Sequence, residues 1–344
     1  MRSILEAVFM RAWMHRGILA FLLWPVSALF QLIVHFRFAL FVMGYKPQTK
    51  LAVPVIVVGN IFVGGTGKTP LVIWLAQQLT LAGWQPGVIS RGYGASAESI
   101  TEVDQHSLAA VVGDEPLLIA MRTHCPVMVG RDRVAAAKAL LSRYPATNVI
   151  ISDDGLQHYA LARDVEIVLF DQRGVGNGWL LPAGPLRESR HRRRDFTVLN
   201  APAGVAAAGI VANAVRMQLV PSEIFSLSAP EKKMPLVNVK GKRIVAAAGI
   251  GHPERFFNML RAAGVELEGL PLDDHHRFSA HSFCDIDADT ILITEKDAVK
   301  CRQIAELQND ARIWVVPVSA HLEADFMANI LKLISERKNG RTLA

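Results

Sequence analysis

The chain has 344 residues, enough for two or three domains of ordinary size, and 51% are hydrophobic, which excludes a disordered or low-complexity protein. Its net charge of +6 suits a partner carrying phosphates or an anionic membrane surface, and does not by itself indicate nucleic acid. Cys125, Cys284 and Cys301 are scattered, with no CxxC or Cys/His spacing, so neither a disulfide framework nor a zinc site is supported and a reducing cytosol fits.

The first fifty residues differ from the rest. Gly17 to Val34 is uncharged and would span about 27 Å as a helix, near the lower limit for crossing a bilayer. Pro25 lies inside this run and bends a helix at a cost of roughly 3 kcal/mol, while Ser27 and Gln31 dilute the apolar character. Arg2, Arg11, His15 and Arg16 precede it and His35, Arg37 and Lys46 come after it, without a small-residue cleavage site. We expect residues 1–50 to form a helical membrane-associated segment lying on or dipping into the cytoplasmic face; a full span and a buried helix pair are the alternatives.

Val53 to Thr69, VPVIVVGNIFVGGTGKT, is the stretch around which the remaining chain is organised. An apolar strand, Val55 to Val58, feeds a glycine-rich turn and then a helix over Leu71 to Leu81. Glycines let backbone N–H groups turn onto an anion, the helix points its positive end at the same place, and Lys68 reaches the outer phosphates. Phe62, Val63, Gly64, Gly65, Thr66, Gly67, Lys68 and Thr69 are therefore candidate nucleotide contacts, with the Thr69 hydroxyl placed for Mg²⁺. The strict pattern asks for glycine where Phe62 stands, five positions before Gly67; Gly64 and Gly65 partly compensate.

Further along, the strand at Pro86 to Ser90 runs into Arg91-Gly92-Tyr93-Gly94, and Gly113-Asp114-Glu115-Pro116 opens an apolar helix at which Asp114 serves either chemistry or as a plain N-cap. Pro126 to Val129 adds a strand, and Arg131 and Arg133 begin an alanine-rich helix. Asn148 to Ser152 ends in Asp153 and Asp154, where a Mg²⁺-holding carboxylate sits downstream of a phosphate loop; an Asp-Gly surface turn is the competing reading. Strands at Val165 to Phe170 and Phe196 to Leu199 flank Arg187, Glu188 and the basic run Arg190 to Arg194, either a solvated face or a contact for acidic head groups. The alternation predicts an α/β fold: a phosphate-loop core with a mostly parallel sheet over 51–205, a connection over 206–240 and a smaller α/β unit over 241–344 completing an active-site cleft. That last unit carries Asp273-Asp274-His275-His276 and Thr294-Glu295-Lys296-Asp297.

Taken together, GGTGKTP at Gly64 to Pro70, SRGYG at Ser90 to Gly94, GDEP at Gly113 to Pro116, DDGLQH at Asp153 to His158, PAGPLRE at Pro182 to Glu188, GIGHPERFF at Gly249 to Phe257, DHHRF at Asp274 to Phe278 and TEKDAVK at Thr294 to Lys300 closely resemble the lipid A 4′-kinase family. The resemblance implies transfer of the ATP γ-phosphate, with Mg²⁺, to the 4′-hydroxyl of a tetraacylated glucosamine disaccharide 1-phosphate, at the cytoplasmic side of the inner membrane, by a peripheral or monotopic enzyme without nucleic acid or an obligate protein partner. It implies Asp114 as the base toward the sugar hydroxyl, aided by a histidine, His275 with His276 as its competitor, that relays charge or raises the carboxylate's basicity. Lys68, with Tyr93, Arg131, Arg187 and Glu188, would serve the nucleotide, and Thr69 with Asp153 or Asp154 the metal. The non-kinase alternative is a membrane-tethered ATPase or GTPase switch, against which the chain lacks a guanine-reading NKxD.

Overall fold

In the computed structural model, residues 9–92, 99–202, 204–205, 213–239 and 243–339 are described. In chain order the main elements are α1 (Ile18–Val42), β1 (Val55–Gly59), α2 (Lys68–Leu81), β2 (Pro86–Ser90), α3 (Asp114–Thr123), α4 (Arg133–Arg143), β3 (Val149–Asp153), β4 (Val165–Asp171), β5 (Phe196–Asn200), β6 (Val215–Pro221), β7 (Ile224–Ser226), β8 (Lys233–Met234), β9 (Ile244–Ala248), α5 (Pro253–Ala262), β10 (Glu268–Pro271), β11 (Thr290–Thr294), α6 (Glu295–Cys301), β12 (Ile313–Val316) and α7 (Ala324–Asn339). They form two compact units: Met1–Ser90 with Asp132–Gln218 and Leu322–Ala344, and Arg91–Arg131 with Leu219–His321.

The first unit is built on parallel strands in the order β6-β5-β4-β1-β3-β2. Every residue of β1 and β3 is buried, as expected where helices cover both faces of a parallel sheet, and this is why both read as unbroken apolar runs. Helix α7 closes the unit: Phe326 stacks on Trp74 of α2, ring centroids 5.8 Å apart, and meets Phe196 of β5 edge-on at 5.3 Å.

Helix α1 runs unbroken through Pro25 for 25 residues, about 37 Å at the α-helical rise, beyond the uncharged run itself. Mean hydropathy reaches 2.0 in its most apolar window, so it is long and apolar enough to cross a membrane, yet Ala20 and Ser27 are its only buried residues. Its attachment to the unit is polar and aromatic. Ser27 donates to the Leu180 carbonyl (2.5 Å), Phe21 meets Trp179 edge-on at 5.0 Å, and Phe38 does the same to Tyr159 at 5.3 Å.

The second unit has its own sheet, β8-β7-β12-β11-β9-β10, parallel from β12 to β10 with β7 and β8 antiparallel at one edge. Phe256, Phe257 and Leu260 of α5 cover one face with Leu236 and Leu292; Phe283, Ile291, Ile293 and Ile313 build the other core.

This division differs from the expected boundaries in two ways. Residues 91–131 belong with the second unit, because α3 packs on α6 and Arg122 forms a two-pronged ion pair with Glu295 at 2.6 and 2.7 Å. The expected connection over 206–240 holds three strands, which its prolines concealed; Pro221 ends β6 and Pro235 comes directly after β8. Replacing Phe326 with alanine removes both aromatic contacts of a buried ring and should cost about 3–5 kcal/mol, seen as a lower urea midpoint with the folded far-UV spectrum retained.

Candidate active site

In the first unit, β1 delivers the chain to buried Asn60, whose amide donates to the carbonyls of Phe62 (2.6 Å) and Gly64 (3.0 Å). Its Oδ1 accepts from Lys68 Nζ at 3.0 Å, so one side chain fixes both the loop backbone and the lysine. Gly67, at φ 95°, turns the loop into α2, and an added Cβ would lie 2.5 Å from Asn200 Nδ2, which donates to the Thr66 carbonyl at 2.9 Å. Lys68 and Thr69 are therefore the first two residues of the helix, at its positive end. The Thr66 hydroxyl is buried with no hydrogen-bond partner among the described residues.

Phe62 explains the missing glycine. Its ring is buried beneath the Arg173 guanidinium, 4.2 Å from the ring centre, and its backbone bridges Leu186. Val63 N–H donates to Pro185 O (3.0 Å) and Arg187 N–H to Ile61 O (2.7 Å), so the loop is pinned to the 182–188 segment. Phe62 and Val63 thus shape the loop through core packing and backbone bonds. Arg173 in turn is paired with Asp171 at 2.6 Å and donates to Gly65 O at 3.1 Å.

Asp153 ends β3 with Oδ2 accepting from Ser90 (3.0 Å), and Arg133 donates to its carbonyl (3.3 Å). Asp154 leaves the strand in the left-handed region, φ 49°, and faces Lys68 at 3.6 Å and Arg187 at 3.3 Å. Burial is the largest influence on it and opposes its charge, but Lys68 and Arg187 together outweigh burial and hold the carboxyl below the usual range. Its Oδ1 is buried without a hydrogen-bond partner among the described residues, and with Thr69 and Asp153 this gives the hard oxygen donors Mg²⁺ prefers. Glu188 is already engaged: it accepts from Gln157 (2.7 Å), Tyr159 (2.8 Å) and Arg192 (2.6 Å), which makes it the anchor of its loop. Arg131 is exposed, and Tyr93 lies outside the described residues.

The second unit holds the other candidates. Gly113 caps α3, Asp114 is its first residue, and Asp114 Oδ1 accepts from Glu115 N–H at 2.9 Å. Its Oδ2 faces His275 Nδ1 at 3.0 Å. His275 stands in the left-handed region at φ 58°, whereas the His276 ring turns away to meet Phe278 edge-on at 4.9 Å. Of the two neighbouring histidines, His275 is thus the one that meets Asp114.

Lys296 approaches this pair from α6, 4.0 Å from Asp114, 2.9 Å from Glu115 and 3.3 Å from Asp274, and Lys300 lies 3.7 Å from Asp114. Burial opposes the Asp114 charge most strongly, yet His275, Lys296 and Lys300 hold its carboxyl below the ordinary range. The same hydrogen bond raises His275, against burial and Lys296. His275 thus lowers the basicity of Asp114 rather than raising it. Asp114, Glu115 and His275 lie close enough together for metal ligands, but two ammonium groups already supply the positive charge there.

Asn60, Asp171, Arg173, Asn200, Lys296 and Lys300 were not singled out as site residues from the sequence alone. A signal existed for the lysines, since positions 296 and 300 share one face of a helix. Asn60 had none beyond its place just before the loop.

Comparison with known proteins places the chain in a family. Residues 19–335 match the family described as tetraacyldisaccharide-1-P 4′-kinase. Tetraacyldisaccharide 4′-kinases from Herminiimonas arsenicoxydans and from Janthinobacterium sp. (strain Marseille) are each 54% identical to this chain; both alignments cover all of it, with 98% and 99% of the respective relative. The crystal structure of LpxK from Aquifex aeolicus in complex with ATP aligns with a TM-score of 0.75 at 28% identity, over 92% of this chain and 100% of that one. With a phosphate loop in one unit, a carboxylate–imidazole pair in the other and a match over most of its length, this chain belongs to the tetraacyldisaccharide-1-P 4′-kinase family.

Proposed function

We propose that the chain transfers the γ-phosphate of ATP to the 4′-hydroxyl of a tetraacylated glucosamine disaccharide 1-phosphate, with Asp114 receiving the hydroxyl proton. The observation that carries this reading is the 3.0 Å contact between Asp114 and His275 in a chain of this family. The sugar oxygen bonds to the γ-phosphorus as the bond to the ADP oxygen breaks, and the proton passes to the Asp114 carboxylate. A carboxylate held below its usual pKa is a weak base, which suits a loose transition state in which the hydroxyl is oriented first and loses its proton late. His275 aims Oδ2 and shares the charge.

In the first unit, backbone N–H groups of the Gly64–Gly67 turn and the positive end of α2 would cradle the phosphates, with Lys68 and Arg187 neutralising charge on the transferred group. Thr69, Asp153 and Asp154 would hold Mg²⁺, which would supply charge neutralisation for the transferred phosphate. Asn60 and Asp154 hold Lys68 in place beside the loop.

The exposed apolar face of α1, including Leu22, Leu29 and Leu32, supports attachment to a membrane, and an acylated acceptor made inside the cell would put that attachment at the cytoplasmic side of the inner membrane. Arg11 and Arg16 before the helix, Arg37 within it and Lys46 after it would meet anionic head groups.

The direct test is purified protein with Mg·ATP and the lipid disaccharide 1-phosphate, scored for a new phosphate on the distal sugar; ATP hydrolysis without acceptor phosphorylation would overturn the reading. Asp114→Ala should slow that transfer by about 10²–10⁴-fold while ATP affinity stays within about threefold; equal loss of ATP binding would reduce Asp114 to a helix cap. The ion pair also predicts a pH signature. His275 has a raised folded pKa, so its stabilisation is complete below about 6.5 and fades as pH rises through the folded value, while that of Asp114, with a lowered pKa, is present above about 3.8. Hence His275→Ala should lower the melting temperature more near pH 6 than near pH 9; a pH-independent difference would contradict the pairing. Replacing Leu22, Leu29 and Leu32 together by glutamate should move the protein from the membrane pellet to the supernatant, and unchanged partitioning would remove α1 from membrane attachment.

A further inference from the structure

The turn after β9, Gly249-Ile250-Gly251, lies between a parallel strand and the N-terminus of α5 in the second unit, an arrangement that favours an anion. Here the anion is the protein's own. Asp297, fully buried, accepts from Gly249 N–H at 2.9 Å and from the Thr294 hydroxyl at 2.7 Å. The close fit needs glycine: a Cβ at 249 would lie 2.8 Å from Asp297 Oδ1, 3.0 Å from His276 Cβ and 3.3 Å from Asp273 O. The turn is thereby tied to the loop that carries His275.

One cation answers the second oxygen of this buried acid. Lys300 Nζ sits 3.1 Å from Asp297 Oδ1, donates to the His276 carbonyl at 3.2 Å and lies 3.7 Å from Asp114 Oδ2. Three separate pieces of the fold, α6, the 273–278 loop and the start of α3, meet at this ammonium. The geometry points to Lys300, anchored by Asp297, as the positioning residue that holds His275 against Asp114. Its point of action is the backbone one residue beyond His275, where a left-handed residue needs support to keep its ring on the carboxylate. Lys296, also 4.0 Å from Asp114, makes its shorter contacts to Glu115 and Asp274.

This inference rests on the reading of Asp114 and His275 as the catalytic pair, and a double-mutant cycle separates the two. Lys300→Met should lower kcat for acceptor phosphorylation by about 100-fold, the scale expected when a reacting group is misplaced by about 1 Å, with KM for ATP within about twofold. In a His275→Ala background the same change should cost less than about threefold, because the group it positions is gone. A full multiplicative loss in that background, or a loss that falls on KM for ATP, overturns the role of Lys300 while leaving the catalytic pair intact. A His275→Ala enzyme with kcat near wild type overturns the reading beneath it. If Lys300→Met does not fold, Asp297→Asn takes its place: about a tenfold loss in wild type and less than about threefold beside His275→Ala supports the inference, and equal losses in both backgrounds overturn it.

Discussion

Backbone N–H groups gathered at the end of a parallel strand, facing the positive end of the next helix, require negative charge, and the two units of this chain answer that requirement differently. In the first, the Gly64–Gly67 turn lies beside Lys68, with the Arg173 guanidinium 3.8 Å from a Cβ added at Gly64 and nothing within 4 Å of one added at Gly65. In the second, the Gly249 turn is filled by Asp297. The same local geometry therefore leaves one turn for a triphosphate and makes the other a structural joint. Because a buried carboxylate must itself be paired, the joint recruits Lys300, and through it the loop bearing His275.

Charge balance around Asp114 is a consequence of that arrangement. Asp114, Glu115, Asp274 and Asp297 face Lys296, Lys300 and His275 within one small volume of the second unit. Burial by itself would favour the neutral form of Asp114, and His275 with the two lysines reverses that preference. A carboxylate that stays ionised across the physiological range is ready to accept a hydrogen bond from an alcohol at any time, which matters more for a loose phosphoryl transfer than high basicity does.

Much of the fold was legible because buried parallel strands leave an unmistakable record: Val55 to Val58 and Asn148 to Ser152 read as strands since both faces of the sheet are covered. The phosphate loop and the Asp114 helix start were legible for the same kind of reason, since glycine spacing and capping chemistry are local. What escaped was non-local. Nothing in residues 91–131 announces that they pack with 219–321, because the deciding contact, Arg122 with Glu295, joins positions far apart in sequence. Glu188 looked like a ligand group from its motif, and only the fold shows Gln157, Tyr159 and Arg192 already on it. His275 and His276 could not be separated by chemistry, being identical, and only backbone conformation distinguishes them.

Helix α1 is more than a detachable tether, and the reason lies in what it touches. Trp13 and Arg16, just before it, donate to the carbonyls of Pro182 (2.9 Å) and Asn177 (3.1 Å), and Ser27 within it donates to that of Leu180. The segment so gripped continues directly into Pro185, Leu186 and Arg187, which bond to Val63, Phe62 and Ile61 at the root of the phosphate loop. Arg187 also faces Asp154. One short stretch of chain thus touches α1 on one side and, on the other, the backbone at the root of the loop and the arginine beside its lysine. An apolar surface that water disfavours and a glycine-rich turn that needs close backbone support are therefore fastened to the same ten residues, 177–186, because a helix with so few buried side chains depends on such hydrogen bonds for its placement.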